Sequence, residues 1–495
     1  MKTEKSILLA LVIVLLFPLL GGCDDTTLYT TNPSVQLSFQ RDTVNFETVF
    51  TTIGSSTQVA KVYNRSNEHI HIRSVTLADA SRSGFSVNID GQSGTTFQDI
   101  EIRKQDSLYI FVQANINPLD KDNPILVKDS LVFELSSGSV QDMKLMAYGQ
   151  DVLILRGKEI QEDTTFTSKR PILIYDSLRV NAGATLTLAA GTQLYFHDKI
   201  DCKVYGTLVA TGTQEQPVTF LGDRMDNLFS YLPYGNVPGQ WGGVQFFASS
   251  YQNKLNHVAL RGGIYGIQCD SSDVSQPKLL LQNSVVHNMS TTVLSTTNSQ
   301  VDVINSELTN AGSQVVSVIG GAVSFVHCTI ANFFHWAARE GTAVKIANTH
   351  NAIDYPLLKA DFTNSIITGS FSDELSGERS SEETVPFNYQ FSSSLVNTKL
   401  NEQSSTYTEE LTHYIDCVWD AKASGDLYGD KNFLTINPDN EFKYDFQLSE
   451  ESLARNIASP IVAQPYPLDL LGRDRLLDGQ PDAGCYEYTP IPTAE

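Results

Sequence analysis

The chain has 495 residues, 41% of them hydrophobic, and a formal net charge of −22. An exterior this acidic repels phosphate backbones and anionic lipid surfaces, which argues against nucleic acid as a partner and disfavours flat adsorption to anionic lipid. The length and the apolar content suffice for two or three packed domains.

Lys2 and Lys5 precede an apolar run from Ile7 to Leu20, too short to span a bilayer comfortably, and Gly21-Gly22-Cys23 follows. A charged head, an apolar stretch and small residues before a cut describe a secretory signal over residues 1–22. Leu20-Gly21-Gly22-Cys23 resembles the lipobox of bacterial lipoproteins. The resemblance implies cleavage before Cys23 and lipidation of its sulfur, by palmitate among others, and of its new amino group. Several acyl chains bury many methylenes at about 0.8 kcal/mol each, so such an anchor holds the chain to the membrane permanently. Residues 23–34, opening with Asp24-Asp25, are polar and read as a flexible tether. Acidic residues at that place resemble, in some Gram-negative lineages, a signal for the outer face of the outer membrane, and in others an inner-membrane retention signal. The expectation is a lipid-anchored, surface-exposed outer-membrane location.

Residues 35–152 read as short alternating strands, among them 58–63, 70–75, 107–112, 131–135 and 144–148. Turn residues such as Asp90-Gly91 and Ser137-Gly138 separate them. This spacing predicts an antiparallel β-sandwich that resembles immunoglobulin-like modules, without an antibody-type Cys…Trp…Cys core. The five cysteines beyond Cys23 (Cys202, Cys269, Cys328, Cys417, Cys485) are far apart and form no CxxC. They read as small buried hydrophobes, with one disulfide left open.

Past residue 165 a repeat emerges. Leu281–Val286 aligns with Val303–Leu308, Phe325–Ile330 and Phe362–Ile367, and more loosely with Leu255–Leu260 and Phe391–Val396. The third residues of these six copies are His257, Asn283, Asn305, His327, Asn364 and Ser393, spaced 26, 22, 22, 37 and 29 apart. A recurring 22 with longer gaps marks a solenoid with loop insertions, and coils this short and rich in Val, Ile and Thr are made of strands. Equivalent side chains then stack about 4.8 Å apart, and the polar slot becomes an internal ladder at a bend. The pattern resembles the asparagine ladder of right-handed parallel β-helices, the pectate-lyase-like superfamily, over residues 165–400. Residues 401–495 continue the helix and close it with a C-terminal cap over its last coil. Leu468–Arg473 and Asp478–Tyr488 resemble the closing segment of bacterial surface β-helix proteins. The expected class is all-β: an antiparallel sandwich, a right-handed parallel β-helix solenoid, and a cap.

The fold resemblance raises an enzyme alternative, a polysaccharide lyase or glycoside hydrolase. β-Helix polygalacturonases carry a paired Asp-Asp, a Gly-His-Gly and an Arg-Ile-Lys, and none of these occurs here except Asp24-Asp25. A lyase of this type needs a carboxylate cluster for calcium and a basic proton abstractor. The candidates are Asp270, Asp273 and Asp302, with Arg261, Lys278, Arg339 and Lys345 as bases. His257 and His327 fall in the ladder slot, and His287 is expected at a turn. No HExxH motif occurs, and no catalytic residue, metal or cofactor is assigned. The acidic segment 372–384 reads as a solvated mobile loop, with calcium binding as the alternative.

Two segments gather exposed aromatics for contact with a ligand or partner: Phe229, Tyr231 and Tyr234 on an insertion running into Trp241, and Trp336 within Phe333-Phe334-His335-Trp336. Trp241 itself is expected to be packed. The functional expectation is a non-catalytic envelope lipoprotein whose β-helix is a rigid scaffold for an outer-membrane protein. Binding of a polysaccharide, or its cleavage, is the alternative.

Overall fold

The computed structural model describes residues 28–167, 169–400, 407–420, 429–437 and 441–490. The signal segment 1–22 and Cys23 lie outside the described residues. Within them the chain divides into two compact units, one of residues 28–119 with 125–149, the other of 120–124 with 150–490.

In the first unit, strand alternation builds two five-stranded sheets. One runs Ser38–Phe39, Gln58–Tyr63, Ser107–Ala114, Phe85–Ile89, Gln92–Gly94; the other runs Thr43–Phe50, Val140–Gln150, Ile125–Leu135, Ile70–Leu77, Thr96–Ile102. Pairing is antiparallel, as between Gln58–Tyr63 and Ser107–Ala114. Ile110, Val112 and Ala114 are buried while Tyr109 and Phe111, in alternation with them, are exposed. The inward rows of both sheets meet in one core that includes Val62, Ile72, Val112, Phe133 and Leu145. Asp90 and Gly91 both take positive φ, 49° and 78°, the geometry that favours Asp-Gly in a two-residue hairpin. Part of the expected tether is fixed to this unit. Tyr29 bridges His69 and donates to Glu101 (3.2 Å), and Thr30 is buried.

The second unit is built of long parallel sheets, one of 18 and one of 10 strands among the described residues, an arrangement consistent with a β-helix or solenoid. The central coils each contribute strands to three ladders. One coil supplies Pro277–Gln282 to the first ladder, Val285–Met289 to the second and Leu294–Thr297 to the third; the next supplies Gln300–Ile304, Glu307–Ala311 and Val316–Ile319. Parallel pairing starts at Leu153, upstream of the expected boundary at 165, and continues to Val418–Trp419. The register stacks the sequence repeat as expected: Leu255 pairs with Leu281, then Val303, Phe325, Phe362 and Phe391. Phe325, Phe362 and Phe391 stack with centroids 4.7 and 4.8 Å apart inside the core.

The corner between first and second ladders explains the repeat's polar slot. His257, Asn283, Asn305, His327, Asn364 and Ser393 all adopt φ of 47–52°. This left-handed conformation is tolerated best by Gly, Asn and Asp and is costly for branched or bulky residues. Each corner amide donates to the next coil, for example Asn305 N to Val326 O at 2.8 Å. Their side chains, however, do not form the expected continuous internal ladder. Asn305 Nδ2 donates to Asn283 Oδ1 (2.8 Å) and Asn364 bonds His327 (3.1 Å), but no bond joins Asn305 to His327 among the described residues. The left-handed residue interrupts strand alternation, so the inward position falls one residue later. There Ser284, Ser306, Cys328, Ser365 and Ser394 are all buried. Their side chains donate to carbonyls two residues upstream, as Ser306 Oγ does to Ile304 O (2.8 Å). The serine hydroxyls also accept amides of the preceding coil, as Ser306 Oγ does from Ser284 N (3.2 Å). Asn305→Leu is expected to destabilise the protein by about 1–3 kcal/mol through unpaired buried groups, plus about 1–2 kcal/mol for a bulky side chain in the left-handed region. An unchanged thermal midpoint would refute this placement.

The C-terminal segment lies along the flank, over the corner row and the second ladder, and is thus more than an end cap. Its contacts run from Gln214 (Nε2 to Leu471 O, 2.8 Å) to the buried Asp420, which holds Gly429 N and Asn432. Arg475, fully buried, bridges Asn305 (2.7 Å) and Glu487 (2.8 Å), and Ser459 N donates to Asn364 (2.8 Å). Phe433, Phe446, Leu448, Leu470 and Tyr486 form a further core with Ala331, Phe333 and Ile366 of the coils. Apolar side chains on the outer face of the second ladder are what make this cover necessary.

The acidic segment 372–384 departs from the solvated loop expected of it. Glu374 is fully buried and Leu375–Glu378 pairs with Val344–Ala347 in the third ladder. The five cysteines are free thiols, four of them buried. Burial pushes the thiols of Cys202, Cys269 and Cys328 up to about 12, so they are inert hydrophobes at neutral pH.

Candidate functional site

A cleft of about 500 Å³ opens on the outer face of the second ladder, between the 231–236 insertion and the 441–444 turn of the C-terminal segment. Strand pairing sets its floor. Arg261 pairs with His287, and His287 with Thr309 in the next coil, so the three side chains stand in one outward column. Trp241 fixes the column's start: it is fully buried, stacks on Phe196 (4.7 Å) and donates from Nε1 to Arg261 O (2.9 Å). Glu307 stands two residues before Thr309 and lines the same cleft.

The polar groups of the floor form a directed chain. Thr309 Oγ1 donates to Glu307 Oε1 (2.8 Å), and Tyr486 donates to Glu307 Oε2 (2.6 Å). With its proton spent on Glu307, the Thr309 hydroxyl accepts from His287 Nδ1 (2.7 Å). That fixes the neutral imidazole with Nδ1 protonated and leaves Nε2 as an acceptor without a partner among the described residues. Burial, reinforced by the charge of Arg261, pushes His287 down to about 3. Burial also moves Glu307 above its ordinary range, against the pull of its hydrogen bonds from Tyr486 and Thr309. Arg261 is reachable by solvent, yet the surrounding protein desolvates it and lowers its pKa. No carboxylate pairs with it among the described residues. Glu441, in the same cleft, is taken by Lys443 (2.5 Å).

The four expected contact residues divide. Phe229 and Tyr231 are 52% and 44% exposed and stack on each other (5.6 Å); Tyr231 stands at the cleft's edge. Tyr234 is half-buried beneath the Arg224 guanidinium (3.8 Å), which Asp226 holds through two bonds of 2.7 Å. Trp336 stacks on Phe442 (4.1 Å). It lines a second cleft of about 540 Å³ with Val237, Pro238, Ser290 and Phe334, while Asn236 and Phe442 line the first. The 236–238 segment and the Trp336–Phe442 pair therefore form the wall between two neighbouring clefts.

The sequence's candidate acids and bases do not converge. Asp270 accepts from Gln245 and Gln268, Asp273 caps the turn at Ser275, and Asp302 pairs between Leu280 and Ser324 on the first ladder. Lys278 is buried and donates to the carbonyls of Phe247 (2.8 Å) and Ser250 (3.2 Å). Lys345 pairs with Glu378, and Arg339 with Glu374. Of the bases only Arg261 reaches the cleft. His287, expected at a turn, sits mid-strand on the cleft floor. Sequence reasoning misses Thr309 and Glu307, although they stand four and two residues after the corner Asn305, as His287 and Arg261 stand four after theirs. Among the described residues no group of three or more His, Cys, Asp or Glu side chains is placed to hold a metal.

No family model matches this sequence, and no curated protein matches it. Solved structures share only parts of it. Dex49A from Penicillium minioluteum is 12% identical, with 72% of this chain and 67% of that one covered, at a TM-score of 0.17. The PapD-like domain 7 of human CEP192 is 9% identical over 25% of this chain and 90% of its own, at 0.17. The secreted serine protease VesC from Vibrio cholerae is 16% identical over 24% of each chain, at 0.18. At these TM-scores the likenesses add nothing to the fold read from strand pairing, and they assign no activity.

Proposed function

We propose that this chain is a lipid-anchored, non-catalytic envelope protein, tethered through Cys23, whose immunoglobulin-like sandwich precedes a right-handed parallel β-helix. The cleft beside Phe229 and Tyr231 is its binding surface for a protein partner at the outer membrane. The observation that carries this reading is the state of the cleft's own ionisable groups. A general base works best with a pKa near the operating pH. His287, pushed to about 3, is too weak a base to take a proton at neutral pH. Glu307 is tied to Tyr486 and Thr309, and Glu441 to Lys443, so the two flanking carboxylates that glycoside hydrolysis uses are not free. The stacked, half-exposed Phe229–Tyr231 pair supports binding, since rigid aromatics give large contact area at low entropic cost. The same pair favours the second reading, glycan binding by ring stacking.

Affinity purification of the intact chain from detergent-solubilised envelopes is expected to return an outer-membrane protein. The double variant Phe229→Ala, Tyr231→Ala should lose that partner by at least tenfold with an unchanged melting midpoint. Cys23→Ser should move the chain to the soluble fraction. Recovery of this chain alone, or a serine variant that stays with the membrane, contradicts the proposal. Binding to a glycan array that disappears in the same double variant would establish the second reading instead.

A further inference from the structure

Arg261 is anomalous in a chain with a net charge of −22. It stands on the floor of a cleft that two carboxylates also line, yet both carboxylates are engaged elsewhere. Its register neighbour His287, about 4.8 Å away along the ladder, lines the same cleft, and its Nε2 has no partner among the described residues. A guanidinium recognises a planar oxyanion through two parallel N–H donors. A neutral imidazole nitrogen with its tautomer fixed recognises a hydroxyl or amide proton. Hydroxyl-bearing ligands suit the remaining polar wall, where Asn236 and Lys443 stand.

We propose that Arg261 and His287 form a site for a hydroxylated carboxylate, with the carboxylate on the Arg261 guanidinium and a neighbouring hydroxyl donating to His287 Nε2. This rests on the reading of the cleft as the chain's binding surface and names the chemistry it takes. Thr309 is the positioning residue. It does not touch the ligand, but its hydroxyl sets which imidazole nitrogen carries the proton. The aromatic pair at the edge then covers the ligand's apolar carbons.

Ligand-observed NMR of the full chain in detergent, with millimolar glycerate, propionate and glycerol as probes, tests each half of the site. Glycerate carries both groups, propionate only the carboxylate and glycerol only hydroxyls. Glycerate is expected to bind at least fivefold more tightly than propionate, and glycerol not to compete. Arg261→Met should weaken glycerate binding at least tenfold, and Arg261→Lys by less, because charge remains without the bidentate fork. Thr309→Val should bring glycerate down to the level of propionate while leaving propionate unchanged, a loss of discrimination that simple loosening of the cleft does not produce. Equal binding of glycerate and propionate to the wild type overturns the proposal, as does an Arg261→Met variant of native melting midpoint with unchanged affinity. If glycerate fails while the envelope partner is still captured, the ligand assignment alone falls. If capture survives loss of Phe229 and Tyr231, the surface reading falls with it.

Discussion

Replacing Arg339 by methionine is expected to lower stability by about 3–5 kcal/mol, the cost of leaving one member of a buried ion pair uncompensated. Arg339 is 3% exposed and Glu374 fully buried, and they meet through two bonds of 2.9 and 2.7 Å. The guanidinium also donates to Asn332 O, Ser370 Oγ and Gly341 O and lies over the Phe371 ring. Glu374 in turn accepts the amides of Ala343 (2.7 Å) and Phe371 (2.8 Å). One side chain thus clamps both ends of the loop that carries Trp336 and joins it to the next coil. Methionine fills the volume but leaves a buried carboxylate opposed only by the amides of Phe371 and Ala343, so burial raises Glu374 further and favours its protonation. A second change, Glu374→Gln, removes that charge and should return a good part of the loss. Urea denaturation measures both. A single variant within about 1 kcal/mol of wild type would show that the pair contributes no more than an exposed one. Trp336 fluorescence should shift to longer wavelength in Arg339→Met as the loop loosens.

The parts that were legible in the sequence and the parts that were not differ in physical kind. The coil repeat was legible because every coil solves the same local problem. An inward residue is needed at Leu281, Val303, Phe325 and Phe362, and a corner residue with positive φ at Asn283, Asn305, His327 and Asn364. Such positions restrict residue type by themselves, whatever lies elsewhere in the chain. Side-chain direction at the corner was not legible, because one left-handed residue shifts the alternation and hands the interior to Ser284 and Ser306. Glu374 reads as solvated among its acidic neighbours, since its partner Arg339 lies 35 residues upstream on a different insertion. Part of the cleft is hidden for the same reason: one side comes from residues 441–444, brought over the second ladder by the packing of Phe433, Phe446 and Tyr486. Yet the column Arg261, His287, Thr309 stands at one fixed offset from the corner slot. Reading the repeat by columns, rather than by its most regular position, brings these three side chains together from the spacing of the coils alone.

Raising the pH from 6.5 to 8.5 is expected to weaken the fold, and Glu487 is the main reason. Its carboxyl bonds Arg475 (2.8 Å), but burial and the neighbouring Asp482 outweigh that guanidinium and push it up to about 8. In the unfolded chain the same group titrates near 4.5. Between those values the folded state holds a proton that the unfolded state has released, so stability falls as pH rises through 8. For Glu487 alone the loss between pH 6.5 and 8.5 is about 2 kcal/mol. Burial raises Glu307, Asp420 and Asp482 above their ordinary values as well. His287 and His327 are held neutral by burial, and their opposing contribution, small at pH 6.5 and gone about one unit above it, grows as pH falls below that ordinary histidine value. The buried thiols of Cys202, Cys269 and Cys328 add to the fall only toward the top of the interval, so Glu487 dominates it. Glu487→Gln, which copies the protonated acid in shape and in its bond to Arg475, should match wild type at pH 6.5 and exceed it at pH 8.5. A wild type whose melting midpoint is flat across this interval, or a glutamine variant with the wild-type slope, would mean that Arg475 holds Glu487 ionised and that the C-terminal cover is fastened by a full ion pair. In that case Arg475→Met should cost several kcal/mol at pH 8.5 as well as at pH 6.5, whereas a protonated Glu487 makes that cost smaller at the lower pH.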